Sequence, residues 1–123
     1  MTGVQTCALP ISLYYTKDPG STSSAALFAR PLAGGPERQI LDSVVARASF
    51  VPVEDGIYHI TRADRDGAYP LQFFDLATGR SRALTRIEGR LWWGLTVSPD
   101  RKTFLFSVLK PLSFDLMLVE NFR

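Results

Sequence analysis

The sequence repeats itself with a period of 44 to 45 residues, and this repeat constrains the fold more than any other feature. The matched segments are 13–16 with 57–60 and 27–35 with 71–79 at an offset of 44, and 50–55 with 95–100 and 71–74 with 116–119 at an offset of 45. Repeats of this length each form one supersecondary unit, which buries its apolar faces against the neighbouring units. The sequence therefore predicts a stacked array of three related units.

The middle unit is complete and divides into four short segments that are rich in β-branched and aromatic residues. The predicted strands are 48–53, 56–62, 70–76 and 82–87. Clusters of turn-forming residues separate them at 54–56, 64–67 and 77–79. By comparison, the first unit lacks its opening strand and the third lacks its closing strand.

Four strands in a unit of this length are typical of the blades of a β-propeller, whereas helical repeats consist of helix pairs. The apolar runs 104–106 and 116–119 indicate strands that are buried on both faces, as expected between stacked blades. We therefore predict an all-β fold, a β-propeller fragment of about two and a half four-stranded antiparallel blades. The native portion is 12–123, with a partial blade at 12–44, a complete blade at 45–90 and a partial last blade at 91–123.

Residues 1–11, MTGVQTCALPI, have no signal-peptide charge pattern and no periodicity that joins them to the repeat. The string TGVQTCALPI resembles the in-frame translation of a common short-read sequencing adapter, with an upstream GTG codon read as Met1. We therefore predict that this segment is not native, that Cys7 has no role, and that Ser12 begins partway through a larger protein, as in a metagenomic fragment. The alternative is a natural apolar N-terminal strand or a truncated signal peptide.

Charge and metal-ligand content argue against several classes of function. The 14 basic and 12 acidic residues are too evenly balanced to indicate nucleic acid or an anionic membrane as a partner. No apolar run approaches the roughly 18 to 20 residues that a membrane-spanning helix needs. With one cysteine, Cys7, and one histidine, His59, there are too few soft ligands for zinc. We expect no cofactor, no metal, no membrane span and no direct nucleic-acid binding, and the compartment stays open between cytoplasm and periplasm.

The third unit contains a Ser-Pro-Asp turn between two apolar strands, in the segment VSPDRKTFLF at 97–106. It resembles the repeat of TolB-like and dipeptidyl-peptidase-type propellers, in which a strand ends in Ser-Pro-Asp-Gly-Lys and a second apolar strand follows. The array as a whole resembles a TolB-like or WD-repeat-like propeller. Arg101 stands where that repeat has Gly, which implies backbone strain if the left-handed conformation is kept. The middle unit keeps Gly56.

The ending SFDLMLVENFR, residues 113–123, resembles the C-terminus of bacterial proteins that join such a propeller to an N-terminal winged-helix or protein-kinase domain. This resemblance implies a sensory or scaffolding propeller with an output domain upstream. No catalytic residue of that family has a counterpart in this sequence.

Four residues are candidates for a ligand or partner surface. Trp92 and Trp93 can offer an aromatic platform, because successive residues of a strand face opposite sides and one indole can stay accessible. The alternative is that both pack between blades. Arg80 and Arg82 lie on one face of a predicted strand and can meet phosphates or an acidic partner, although a solvated blade edge also explains them.

The other polar groups favour structural roles. The segment 64–67, Asp-Arg-Asp-Gly, resembles the opening of a calcium loop but has no third acidic ligand and no closing Glu, which favours a hairpin turn. His59 lies within a strand, and Ser98 is not in a Gly-x-Ser-x-Gly motif. We therefore predict that the chain is not an enzyme.

The leading functional hypothesis is a non-catalytic binding or interaction module, the sensory or scaffolding part of a larger bacterial regulatory protein whose ligand or protein partner is unknown. The alternatives are the propeller domain of a prolyl-oligopeptidase-like serine hydrolase and a TolB-like envelope scaffold.

The apolar positions that recur at the blade period are predicted to set the core. They are Tyr58, Phe73, Trp92, Leu105 and Leu118. The open strand edges of an incomplete array are also predicted to make the chain poorly stable alone and prone to association.

Overall fold

The computed structural model describes residues 12–17, 24–45, 49–110 and 113–120, without the side chains of residues 93, 110 and 113–115. This part of the chain contains ten strands and no helix. The strands are β1 (Ser12–Thr16), β2 (Ser24–Pro31), β3 (Arg38–Val45), β4 (Phe50–Pro52), β5 (Gly56–Ile60), β6 (Tyr69–Asp75), β7 (Arg80–Ile87), β8 (Arg90–Val97), β9 (Thr103–Lys110) and β10 (Ser113–Glu120). With no helix in these residues, none is long and apolar enough to cross a membrane.

The strands form three antiparallel sheets, each made of strands that are consecutive in the chain. The first sheet is β1-β2-β3, the second is β4-β5-β6-β7, and the third is β8-β9-β10. Only the second has four strands. Within the described residues, the first sheet has no counterpart of β4 and the third has no counterpart of β7. The prediction of an all-β propeller fragment of about two and a half blades is confirmed.

Strand positions in the second sheet agree with the sequence-based prediction to within two residues at each end. The predicted strand 48–53 corresponds to β4, although Ala48 lies outside the described residues. Residues 1–11, predicted to be non-native, also lie outside them.

The second sheet packs between the other two, so both of its faces are buried. Every residue of β5 is buried. One face packs on the first sheet through a cluster that contains Leu27, Val44 and Ile57. The opposite face packs on the third sheet through a larger cluster that contains Tyr58, Ile60, Leu71, Phe73, Leu91, Leu95, Phe104, Phe106 and Val108. This arrangement explains the apolar run of β5, because a strand buried on two faces does not alternate with polar residues. The prediction that the runs 104–106 and 116–119 are buried on both faces is wrong, because Leu105, Leu116, Met117 and Leu118 are exposed.

The core prediction is correct for two of its five positions and wrong for three. Tyr58 and Phe73 are buried. Trp92, Leu105 and Leu118 have exposed fractions of 42%, 37% and 57%. Leu105 and Leu118 face each other across β9 and β10 on the side of the third sheet that points away from the second sheet. The repeat identifies equivalent positions correctly, but burial depends on whether another sheet follows.

The hairpins β4–β5 and β8–β9 differ in length by two residues. The first closes with the Val53 amide donating to the Gly56 carbonyl, and the second with the Ser98 amide donating to the Thr103 carbonyl. Gly56 therefore corresponds to Thr103 in the strand pairing, not to Arg101. Gly56 does not have a positive φ. A Cβ there would lie 2.3 Å from both the Phe73 ring and the Phe74 carbonyl, so close approach of β6 requires the glycine.

A register shift recurs in the first two sheets at equivalent positions. β2 changes its pairing with β3 between Leu27 and Phe28, and β6 changes its pairing with β7 between Leu71 and Gln72. These positions are 44 residues apart, which is the period found in the sequence. The pairing of β10 with β9 continues through eight residue pairs without a shift.

Candidate interaction surfaces

The Ser98–Arg101 turn holds Arg101 in the left-handed backbone conformation, with a φ of 65°. The Arg101 amide donates to the Ser98 carbonyl at 2.8 Å, and the Lys102 amide donates to the Asp100 carboxylate at 3.0 Å. Arg101 is the one non-glycine residue with a positive φ in the described part of the chain. The expectation of strain at this position is confirmed, since a Cβ disfavours this conformation by about 1–2 kcal/mol.

The Arg101 side chain crosses from the third sheet to the second. Its Nε donates a hydrogen bond to the Tyr58 hydroxyl at 3.0 Å, and its guanidinium lies 2.8 Å from a carboxylate oxygen of Asp55. The guanidinium carbon also lies 5.4 Å from the centre of the Tyr58 ring and 5.5 Å from that of Phe73. Sequence reasoning treated Arg101 only as a strained replacement for glycine. These contacts supply a structural reason for arginine at that position.

Arg80 and Arg82 lie on β7, opposite Asp75 and Phe73 of β6. They therefore share one face of the strand, as predicted. The Arg82 guanidinium carbon lies 5.5 Å from the centre of the Phe73 ring. Phe73 thus has a guanidinium from β7 and another, that of Arg101, near its ring. The contact of Arg82 is internal to the chain, while Arg80 is exposed at the end of its strand.

Trp92 lies on β8, and its side chain is partly accessible to solvent. The Trp93 side chain lies outside the described residues. β8 contacts β4, which is at the opposite edge of the second sheet from β7. Three strand spacings of about 4.8 Å separate those edges, so Trp92 and the two arginines do not form one continuous site.

The Asp64–Gly67 segment is a turn whose carboxylates bind an arginine. Asp64 accepts hydrogen bonds from the Asp66 and Ala68 amides and from Arg86 Nε. Asp66 accepts a second one from Arg86 at 3.1 Å. Burial raises the pKa of Asp64, but the hydrogen bonds from Ala68, Asp66 and Arg86 lower it by more, and the net shift is downward.

A shallow cavity of about 250 Å³ lies beside the Asp64–Gly67 turn, lined by Arg86 and Glu88 among others. In the described residues, no group of three or more His, Cys, Asp or Glu side chains is placed to hold a metal ion. The arrangement is that of a closed hairpin turn.

His59 is buried on the face of the second sheet that packs against the first. Burial lowers the pKa of His59 to about 4, so the imidazole is neutral at pH 7. Its Nε2 lies 3.4 Å from the Ser81 hydroxyl, and within the described part of the chain its Nδ1 has no hydrogen-bond partner.

The third sheet has an apolar face that the described residues do not cover. We call Leu105, Leu116 and Leu118 the open face; Leu116 is the most exposed of them, at 72%. Leu105 and Leu118 occupy the strand positions of Tyr58 and Phe73, while Leu116 corresponds to Leu71. The equivalent residues of the second sheet are all buried beneath the third.

The comparisons with known proteins agree with this geometry at the level of the fold. No protein-family model and no curated protein matches the chain. Among solved structures, the crystal structure of TolB from Acinetobacter baumannii is similar, with a TM-score of 0.59 and 19% sequence identity. The chain has a TolB-like fold. The alignment covers 89% of this chain and 27% of the TolB chain, so this TolB-like chain spans about a quarter of that structure.

Proposed function

We propose that the chain is a non-catalytic interaction module, the sensory or scaffolding part of a larger bacterial regulatory protein. The observation that carries the proposal is the TolB-like propeller fold, because propellers present strand edges and loops for recognition on a rigid stack of sheets. A fold does not by itself determine a function, so the use of the polar side chains matters as well.

Several ionisable groups of the kinds that general acid–base chemistry uses are engaged in structural contacts in the described residues. Asp64 and Asp66 bind Arg86, Asp100 accepts the Lys102 amide, and His59 is buried and neutral. These groups do not converge on one cavity. This use of the polar groups supports recognition over catalysis.

Two exposed residues offer the side-chain types that most often dominate binding energies. Tryptophan and arginine are enriched among such residues in protein interfaces. Trp92 on β8 and Arg80 on β7 therefore mark two separate candidate contact regions, because they lie on strands at different edges. Arg82 contributes less, since its guanidinium already packs on Phe73.

The proposal is tested by selecting a displayed peptide library against the full chain and measuring the affinity of selected peptides by calorimetry. Peptides that bind at β8 should lose at least about tenfold in affinity with Trp92→Ala, or about 1.4 kcal/mol. Those that bind at β7 should lose affinity with Arg80→Ala. Lys102→Ala, a change at an exposed turn position, is the control and should leave the affinity of both classes of peptide unchanged.

The serine hydrolase alternative gives a different result. A fluorophosphonate probe would label a serine of the intact protein, and a chromogenic prolyl dipeptide would be turned over. Either result would contradict a regulatory protein and favour the hydrolase alternative.

The TolB match favours one second candidate, a TolB-like envelope scaffold. Fractionation of bacteria that express the intact gene separates the two: recovery with the periplasmic contents favours the envelope scaffold, and recovery with the cytoplasm favours the regulatory module.

A further inference from the structure

We propose that the open face of the third sheet binds the first sheet of a second copy of this chain, so that copies associate head to tail. This inference goes beyond the proposed function, which concerns other partners.

Both internal interfaces are built in the same way. In the first interface, the face of the first sheet that includes Tyr14 packs on the face of the second sheet that includes Ile57. In the second interface, the face of the second sheet that includes Tyr58 packs on the face of the third sheet that includes Phe104. We call the face of a sheet that packs on the next sheet in the chain its forward face, and the face that packs on the preceding sheet its backward face. Each internal interface therefore joins a forward face to a backward face. The open face of Leu105, Leu116 and Leu118 is the forward face of the third sheet.

The first sheet leaves the complementary backward face available within the described residues. In the pairing of β1 with β2, Leu13 lies opposite Arg30 and Tyr15 lies opposite Phe28. These four residues are on the side of the first sheet that points away from the second sheet. Leu13 is exposed, and the Tyr15 and Phe28 rings stack with their centres 6.2 Å apart. This backward face presents aromatic rings, as the backward faces of the other two sheets do with Phe74 and Phe104.

Charge also fits the pairing of these two faces. Glu120 continues the open face along β10, two residues beyond Leu118. Arg30 lies on the backward face of the first sheet, opposite Leu13. The Lys17 amine on that face is 4.4 Å from the centre of the Phe28 ring and is already paired with Glu37, so the charge available to Glu120 is that of Arg30. Opposite charges at the rim favour this pairing over two open faces meeting each other, which would bring two Glu120 residues together.

Contact of a forward face with a backward face is heterologous, so the two copies use different surfaces. This gives a test that separates it from a two-fold symmetric dimer. Leu116→Lys disables the forward face, and Leu13→Lys disables the backward face. Both leucines are exposed, so neither change removes core packing. Leu32→Lys, another exposed leucine in the β2–β3 turn, is the matched control.

The experiment is sedimentation equilibrium of the full chain and its variants up to about 100 μM, where an interface with a micromolar Kd is largely occupied. We expect association of the wild type and of Leu32→Lys, and monomers of 13.7 kDa for each of the other variants alone. An equimolar mixture of Leu116→Lys and Leu13→Lys should form a one-to-one dimer, because each variant keeps one intact surface.

A monomeric wild type with native circular dichroism would overturn the proposal, and the open face would then belong to another partner. A mixture that stays monomeric would overturn it as well. Association of Leu13→Lys on its own would overturn it in favour of symmetric pairing of two open faces. Leu118→Glu, on the same face, should behave as Leu116→Lys does, and unchanged association of both would place the contact elsewhere.

Discussion

Replacing Arg101 separates two opposing contributions that the structure assigns to one residue. Its backbone is strained by the positive φ, and its side chain stabilises the packing of the third sheet on the second. Arg101→Ala removes the side-chain contacts and keeps the strain. Arg101→Gly removes the same contacts but relieves the strain, since glycine adopts this conformation freely.

The magnitudes follow from the individual contacts. The hydrogen bond from a charged donor to the partly buried Tyr58 hydroxyl contributes about 1.5 kcal/mol, and the contacts with the two aromatic rings contribute about 0.5 kcal/mol. The ion pair with Asp55 adds little because that carboxylate is exposed. Arg101→Ala should therefore lower the free energy of unfolding by about 2 kcal/mol, and Arg101→Gly by about 1 kcal/mol after relief of strain.

The assay is urea denaturation of the full chain followed by tryptophan fluorescence and circular dichroism. The expected order of stability is wild type, then Arg101→Gly, then Arg101→Ala, with Lys102→Ala as a neighbouring control within about 0.5 kcal/mol of wild type. A double-mutant cycle with Tyr58→Phe should give a coupling energy of about 1 kcal/mol. If Arg101→Ala equals or exceeds the wild type in stability, or the coupling energy is zero, the side-chain contacts do not stabilise the sheet interface.

Three further predictions concern the core, the buried histidine and the N-terminal segment. Phe73→Ala should lower the free energy of unfolding by about 3–5 kcal/mol, and Leu118→Ala by less than about 1 kcal/mol at concentrations where the chain is monomeric. Equal losses of stability in thermal unfolding would contradict the assignment of Phe73 to a buried face and of Leu118 to the open face. Because the pKa of His59 falls from 6.5 unfolded to about 4 folded, stability should be constant above pH 6.5 and decrease by up to about 3 kcal/mol as the pH falls to 4. His59→Gln should abolish that dependence, and a retained slope in pH-dependent denaturation would assign it to other groups. Deleting residues 1–11 should change stability by no more than about 0.5 kcal/mol, and a loss of several kcal/mol in the same assay would identify a native strand.

The repeat was enough to predict the number, order and pairing of the strands, because the positions of turns and apolar runs are local properties of the sequence. It was not enough to assign burial in the third sheet. Leu105 and Leu118 occupy the same positions in the repeat as Tyr58 and Phe73. They differ in burial only because a further sheet packs on Tyr58 and Phe73.

The turn at Arg101 shows a second limit. Aligning it with Gly56 required equal hairpin lengths, whereas the structure has two more residues in the second hairpin. Nor does an arginine in a turn indicate from sequence that its side chain reaches Tyr58 on another sheet. The strain was predictable from the residue type, but its compensation depended on tertiary packing.

The register shifts in the first two sheets bear on how the outer strands resist aggregation. A bulge bends and twists an outer strand, and this discourages continuation of the ladder by a strand from another molecule. β3 and β7 carry that protection, since each meets its neighbour through a shifted register. β10 pairs straight through eight residues and bears exposed Leu116, Met117 and Leu118. The outer strands β1 and β4 also pair without a shift, over five and three residue pairs. Among the described residues, β10 is therefore the longest unshifted outer strand, and a proline or lysine there would discourage fibre growth.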